Sequence, residues 1–216
     1  MPRIGLWATV ACILAVTIHA QAFATPCDLT QVPYCTFTKS PFGFFVPGDT
    51  WAEIDFETLP NGAPSQGGVP ITPAFNYVLQ GALFTSAFPG LRITGNSTTG
   101  YDLTAYTSNL GAHNSISAQL SHPERGIGLY ALGHATLRAF DENGALITSV
   151  THTYYPQVYF LGIRSSIPIA SIEFDNYSNS ASFDNFTMIH IPVPEPASAA
   201  LLLLAAPFLF RRSRPE

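Results

Sequence analysis

Charge is scarce in this sequence. Only 11% of its 216 residues are Asp, Glu, Lys or Arg, with 9 Lys+Arg against 14 Asp+Glu and a formal net charge of -5. That is less than half the usual charged quarter. Too few Lys and Arg are present to build the cluster that grips nucleic-acid phosphates, so nucleic acid is excluded as a partner. Cysteine is sparse too. There are 3, and no Cys-x-x-Cys spacing suggests redox catalysis. Gly-x-Ser-x-Gly is absent, and Gly95-Asn96-Ser97-Thr98-Thr99-Gly100 has the wrong spacing for a nucleophile turn. His113, His122, His134, His152 and His190 form neither His-x-His nor His-Glu-x-x-His, which argues against a zinc centre. No stretch between residues 51 and 191 supports a long amphipathic helix.

What the chain does have is apolar and turn-forming: 47% hydrophobic residues, 12% aromatic, 16 Gly and 18 Pro. This composition and length suit one β-rich domain with small appendages. Two of the apolar stretches are terminal. Residues 1–24 read as a signal peptide, with Arg3 as the positive start, an apolar run over 4–18, and small residues at Ala20 and Ala22 or Ala22 and Ala24 for cleavage. A retained membrane anchor is the alternative, for which the run is short.

The other end reads Val193-Pro194-Glu195-Pro196, then fourteen uncharged residues over 197–210, then Arg211-Arg212-Ser213-Arg214. A helix of that length spans about 21 Å, short of the roughly 30 Å hydrocarbon core, so it would hold a membrane only transiently. The arginines favour the cytoplasmic side. The two prolines would leave an extended peptide on the outer side. An ordinary C-terminal anchor is the competing reading. The order of these pieces over 192–216 resembles the PEP-CTERM sorting signal of exported bacterial proteins, departing from the usual pattern at Pro207 and at Pro215-Glu216. The resemblance implies an exosortase-type membrane processing enzyme that recognises Pro194, Glu195 and Pro196 and removes the tail. It further implies an inner-membrane intermediate and a final place on the cell surface, or in the extracellular matrix, of a Gram-negative bacterium that makes extracellular polysaccharide.

Between the ends, over 25–191, five basic residues face twelve acidic ones. Such a body favours solubility and cations over anionic surfaces. Cys27 and Cys35, eight apart in an exported segment, are expected to form a disulfide in an N-terminal extension, 25–50. Two thiols alone make an incomplete metal site.

From residue 51 the sequence breaks into eleven short β-type runs: 51–56, 82–86, 91–94, 103–106, 115–120, 127–132, 135–140, 145–150, 158–164, 170–174 and 182–189. Asn143-Gly144 marks a hairpin between two of them, since both residues tolerate positive φ. That many apolar-faced strands need two packed antiparallel sheets, so 51–191 is expected to be an all-β, jelly-roll-like sandwich.

The body is similar, more diffusely, to the β-sandwich domains that PEP-CTERM proteins carry. The matching pieces include Ile54-Asp55-Phe56-Glu57, Leu137-Arg138-Ala139-Phe140-Asp141 and Phe183-Asp184-Asn185-Phe186. This likeness implies a structural calcium held by Glu57 and Asp184, with Asn185 a weaker third, because sandwich domains collect oxygens where first and last strands meet. A turn-stabilising carboxylate at each place is the plainer reading. For polysaccharide, aromatic rings must stack on the sugar. Tyr154 and Tyr155, between two runs, are the preferred exposed pair among Tyr101, Tyr106, Tyr154, Tyr155, Tyr159 and Tyr177. Glycoside hydrolysis would need two opposed carboxylates. Glu53-x-Asp55-x-Glu57 only half imitates the acid motif of sandwich glycosidases. With the PEP-CTERM resemblance implying the polysaccharide connection, the expectation is a non-enzymatic, structural or adhesive protein of the extracellular polysaccharide or biofilm layer, with a carbohydrate-binding module as the alternative and a glycoside hydrolase behind it.

Overall fold

In the computed structural model the described residues are 27–87, 90–96, 100–106, 114–153, 157–176 and 180–191. They form ten strands and one short 3-10 turn, Val78–Gln80. The strands are β1 (Tyr34–Lys39), β2 (Trp51–Ile54), β3 (Ala82–Ser86), β4 (Arg92–Asn96), β5 (Gly100–Tyr106), β6 (Asn114–Leu132), β7 (Ala135–Phe140), β8 (Leu146–His152), β9 (Val158–Asn176) and β10 (Ser180–His190). Every named pairing is antiparallel.

Two 19-residue strands organise the whole. β6 and β9 pair from Asn114 opposite Asn176 to Leu132 opposite Val158, with register shifts between Gln119 and Gly126. On one side of this break they belong to a layer with β3, β7 and β8. On the other they belong to a layer with β1 and β10, and β10 carries β2 and β5 along its free edge, with β4 beyond β5. Hydrogen bonding therefore runs continuously between the layers. Ile116 and Ala118 from one half of β6, and Ile127 and Leu129 from the other, are 0% exposed and share one core cluster. The sequence runs 115–120 and 127–132 are thus one strand, as are 158–164 and 170–174. The polar and prolyl residues Ser121-His122-Pro123 and Ser166-Ile167-Pro168, which look like separators, lie inside them.

The hairpin over 141–145 is present but differs in shape from a two-residue turn. Only Gly144 has positive φ, at 76°. Asp141 Oδ1 accepts the N–H groups of Asn143 at 2.9 Å and Ala145 at 2.8 Å, and the Gly144 N–H donates to the Asp141 carbonyl at 3.0 Å. The aspartate side chain stabilises a longer turn with one left-handed residue.

The segment before residue 51 is built into the second layer. β1 pairs in unbroken register with β9, from Tyr34 opposite Ser165 to Lys39 opposite Phe160. Cys27 and Cys35 are joined by a disulfide, with Cα atoms 6.0 Å apart. Phe44 is 0% exposed and lies on the outer side of the layer, edge-on to Phe160 at 4.9 Å and to Phe37 at 5.4 Å. It fits there because the strands beneath carry glycines: a Cβ on Gly162 would stand 2.6 Å from the Phe160 ring and 2.9 Å from Phe44. Arg164, 4% exposed, locks the loop from the other side. It donates to the Phe44 carbonyl at 2.6 Å and to both Asp49 oxygens at 2.5 and 3.1 Å.

Two outcomes follow from this lock. Gly162→Ala should destabilise the fold by about 1–3 kcal/mol, because the buried rings cannot retreat. Asp49→Ala should cost about 3–5 kcal/mol by leaving the buried guanidinium unpaired. Urea-denaturation midpoints of both variants check these values.

Candidate functional site

Alternation along the strands decides which residues reach the outside of the second layer. Ile93, Leu103, Ile127, Leu129, Leu161 and Phe183 point into the core at 0–1% exposure. Their neighbours point the other way: Thr94 on β4, Asp102 and Thr104 on β5, Ser182 and Asp184 on β10, and Tyr130 on β6. On β2, Ile54 is buried and Ala52 packs against the core, which sends Trp51 and Glu53 outward.

Hydroxyls and a carboxylate form a chain across three strands. Thr94 Oγ1 lies 2.6 Å from Thr104 Oγ1, which lies 3.0 Å from Ser182 Oγ, and the Ser182 hydroxyl donates to Asp102 Oδ2 at 3.0 Å. Asp184 stands opposite Tyr130 in register and is 4% exposed. Its Oδ1 accepts the Asn185 N–H at 2.7 Å. Burial chiefly, then the charges of Asp102, Glu57 and Asp55, push its carboxyl up to about 7 against that opposing hydrogen bond. Burial and the neighbouring Glu53 charge raise the Tyr130 phenol, and burial followed by Asp55 raises Glu53.

The aromatic part of this face lies at the Ile189 end of β10, next to Glu53, while the Asp102–Ser182 chain stands at the strand's other end. Trp51 is 53% exposed and Phe45 39% exposed, with ring centroids 5.4 Å apart and planes tilted by 52°. Tyr130, half-buried, packs edge-on against Phe160 at 5.4 Å. Exposed rings held by neighbouring rings, beside carboxylates and hydroxyls, are the components a sugar-binding face needs.

The residues singled out from the sequence fall differently. Tyr154 and Tyr155 lie outside the described residues, as do Val193, Pro194, Glu195, Pro196, Arg211 and Arg212. Tyr159 is 3% exposed, donates its hydroxyl to the Gly133 carbonyl and stacks on His152, so it belongs to the packing. Glu53 and Glu57 do not share a strand face, because β2 ends at Ile54 and Phe56 turns the chain with φ 58°. The Glu57 N–H donates to Asp55 Oδ1 at 3.0 Å, and Glu57 Oε1 accepts the Tyr101 N–H at 2.9 Å. Glu57 thus fastens β5 to the loop after β2. For calcium, Glu57 and Asp184 offer at most four carboxylate oxygens, each with one already accepting a backbone N–H, against the six to eight the ion takes. Among the described residues no group of three or more His, Cys, Asp or Glu is placed to hold a metal.

Trp51, Phe45 and Tyr130 were not singled out from the sequence. The usable signal was the alternation of Trp51 and Glu53 with Ala52 and Ile54, which puts an aromatic and an acid on one side of a strand. Phe45 could be found only once the 41–50 loop was placed.

No family model and no curated protein sequence matches this chain. Among solved structures, it is similar to a family 29 carbohydrate-binding module, with a TM-score of 0.40 at 10% identity over 69% of this chain and 97% of the other. A mutant of such a module complexed with mannohexaose gives 0.38 at 10% identity over 65% and 92%. The family 32 module from C. perfringens NanJ, in complex with galactose, gives 0.33 at 16% identity over 49% and 93%. Likeness at this level carries no functional argument.

Asp184 gives a pH test of the face. Its carboxyl titrates near 3.8 when free of the fold and near 7 within it. The folded state therefore keeps the proton longer, so the Asp184 contribution to stability is full below about pH 4, declines as pH rises towards 7, and is flat above. Asp184→Asn, which mimics the protonated form, should gain stability relative to wild type across that window. Urea midpoints of the two proteins compared at pH 4 through 8 read it.

Proposed function

We propose that this chain is an exported, non-catalytic protein that binds neutral polysaccharide in the extracellular layer through the outer face of its second β-layer. The exposed Trp51–Phe45 pair beside Glu53 carries the reading. Trp51 offers a flat apolar surface to a pyranose face, and the Glu53 carboxylate beside it can accept hydrogen bonds from sugar hydroxyls. Glu53 beside the rings and Asp102 further along make the face acidic, so uronic-acid or sulfated chains are repelled and neutral glycans are favoured. An adhesive role in a polysaccharide or biofilm layer needs no further chemistry: holding sugar is sufficient.

Delivery is part of the proposal. Residues 1–24 act as the export signal, and 192–216 as a PEP-CTERM-type segment processed by an exosortase-type enzyme at Pro194-Glu195-Pro196. The support is the order of Pro-Glu-Pro, uncharged run and arginine cluster, together with the position of the motif four residues beyond the end of β10 at His190.

Once 1–24 are removed Trp51 is the only tryptophan left, since the other is Trp7. Titration with neutral glucans or mannans should change its fluorescence saturably, whereas polyuronates should leave it unchanged. Trp51→Ala should lose retardation in affinity gels containing the bound glycan by at least ten-fold, with an unaltered urea midpoint. Equal retardation of wild type and variant would remove the face from consideration. Separately, intact-mass analysis of the native product should show both terminal segments gone, and Glu195→Ala should retain the tail.

A further inference from the structure

At the end of the sandwich where β6 and β9 pass from one layer to the other lies an open groove of about 840 Å³. Its walls are aliphatic and prolyl, with Leu79, Ile167, Pro168 and Ile191 among them. Leu79 is 94% exposed and Ile167 42% exposed. No Phe, Tyr or Trp lines it, which separates it from the glycan face: sugar stacking has no platform here. Its floor holds Glu124, whose side chain is 6% exposed and whose two oxygens each lie 3.0 Å from His190 Nδ1. The 141–145 hairpin brings Asp141 and Glu142 to the rim, and no Lys or Arg is among the lining residues. Such a groove suits an aliphatic occupant that is neutral or carries positive charge.

The chain supplies that chemistry itself. Ile191, which lines the groove, immediately precedes residues 192–216. Five extended residues reach about 17 Å at most. A run on so short a tether can reach the groove, and Arg211, Arg212 and Arg214 follow it in the sequence. A tethered segment also competes at an effective concentration in the millimolar range.

We propose that the groove is the resting site of this chain's own uncharged C-terminal run, 197–210, with the following arginines set against Asp141 and Glu142. Off the membrane, the run is kept from water by the same end of the sandwich from which it departs. The groove acts as an internal holder until a bilayer takes the segment. The inference is independent of glycan binding and of cleavage at Pro194-Glu195-Pro196.

Cross-linking in a membrane-free extract tests it on the full chain. With Cys12→Ser in place, the pair Leu79→Cys and Leu203→Cys should form an intramolecular disulfide at least ten-fold faster than Leu132→Cys with Leu203→Cys. Leu132 is 38% exposed and sits at the far end of β6. The rate should not depend on protein concentration, and Glu142→Lys should slow it several-fold. Equal rates for the two pairs would overturn the proposal, as would a concentration-dependent link between chains, which would make a second copy the occupant. Leu79→Cys alone, with native Cys12 retained, asks whether the N-terminal run fills the groove instead; a link to Cys12 as fast as that to residue 203 would also overturn it. Leu79 and Leu132 are exposed, so neither substitution opens the core, and peptide mapping confirms that Cys27 remains bonded to Cys35. A tail that cross-links but is never cleaved would sink the sorting reading alone.

Discussion

The pairing of β6 with β9 is the constraint on which the molecule rests. Each strand passes through both layers, so the register of one pair fixes how the two layers face each other. The break between Gln119 and Gly126 is where the pair turns, and an insertion there would flip the alternation beyond it. Ile127 and Leu129 would then leave the core, while Tyr130 would be turned into it. The positions of Glu124 in the groove and Tyr130 on the outer face are set by the same local irregularity.

Much of the architecture was legible because burial on one side of a strand writes an alternating pattern. The runs at 135–140, 145–150 and 182–189 fall on β7, β8 and β10. The length of β6 and β9 was not legible. Pro123 and Pro168 read as interruptions, since proline cannot donate to a ladder, yet each is accommodated where the pair bends and ladder bonds are already missing. Nor could β1 be found: Thr36-Phe37-Thr38 is too short to signal a strand without knowing that β9 offers an edge. The partner is far away in sequence, and no local pattern records it.

The face that carries the functional reading was only half visible for the same reason. Alternation on β2 shows that Trp51 and Glu53 share a side. Nothing local shows that Asp184, Tyr130 and Asp102 join them, because that depends on which strands become neighbours. Tyr154 and Tyr155 stand out in the sequence for lying between strands, a criterion of exposure. The structure supplies a different one: rings already held by other rings lose little freedom when a ligand arrives. Phe45 braces Trp51, and Phe44 in turn is gripped by the glycine-bearing strands and by Arg164. Preorganisation of this kind lowers the cost of binding more than exposure alone does.

The pairing of the earliest strands with the latest has a bearing on biosynthesis. Trp51 stands opposite Ile189 and Lys39 opposite Phe160, so a chain emerging amino end first must wait for nearly its whole length before these edges close. Such late, non-local closure is slow. The sandwich can set only when its last strand has been made, and until then the early strands stay without their edges.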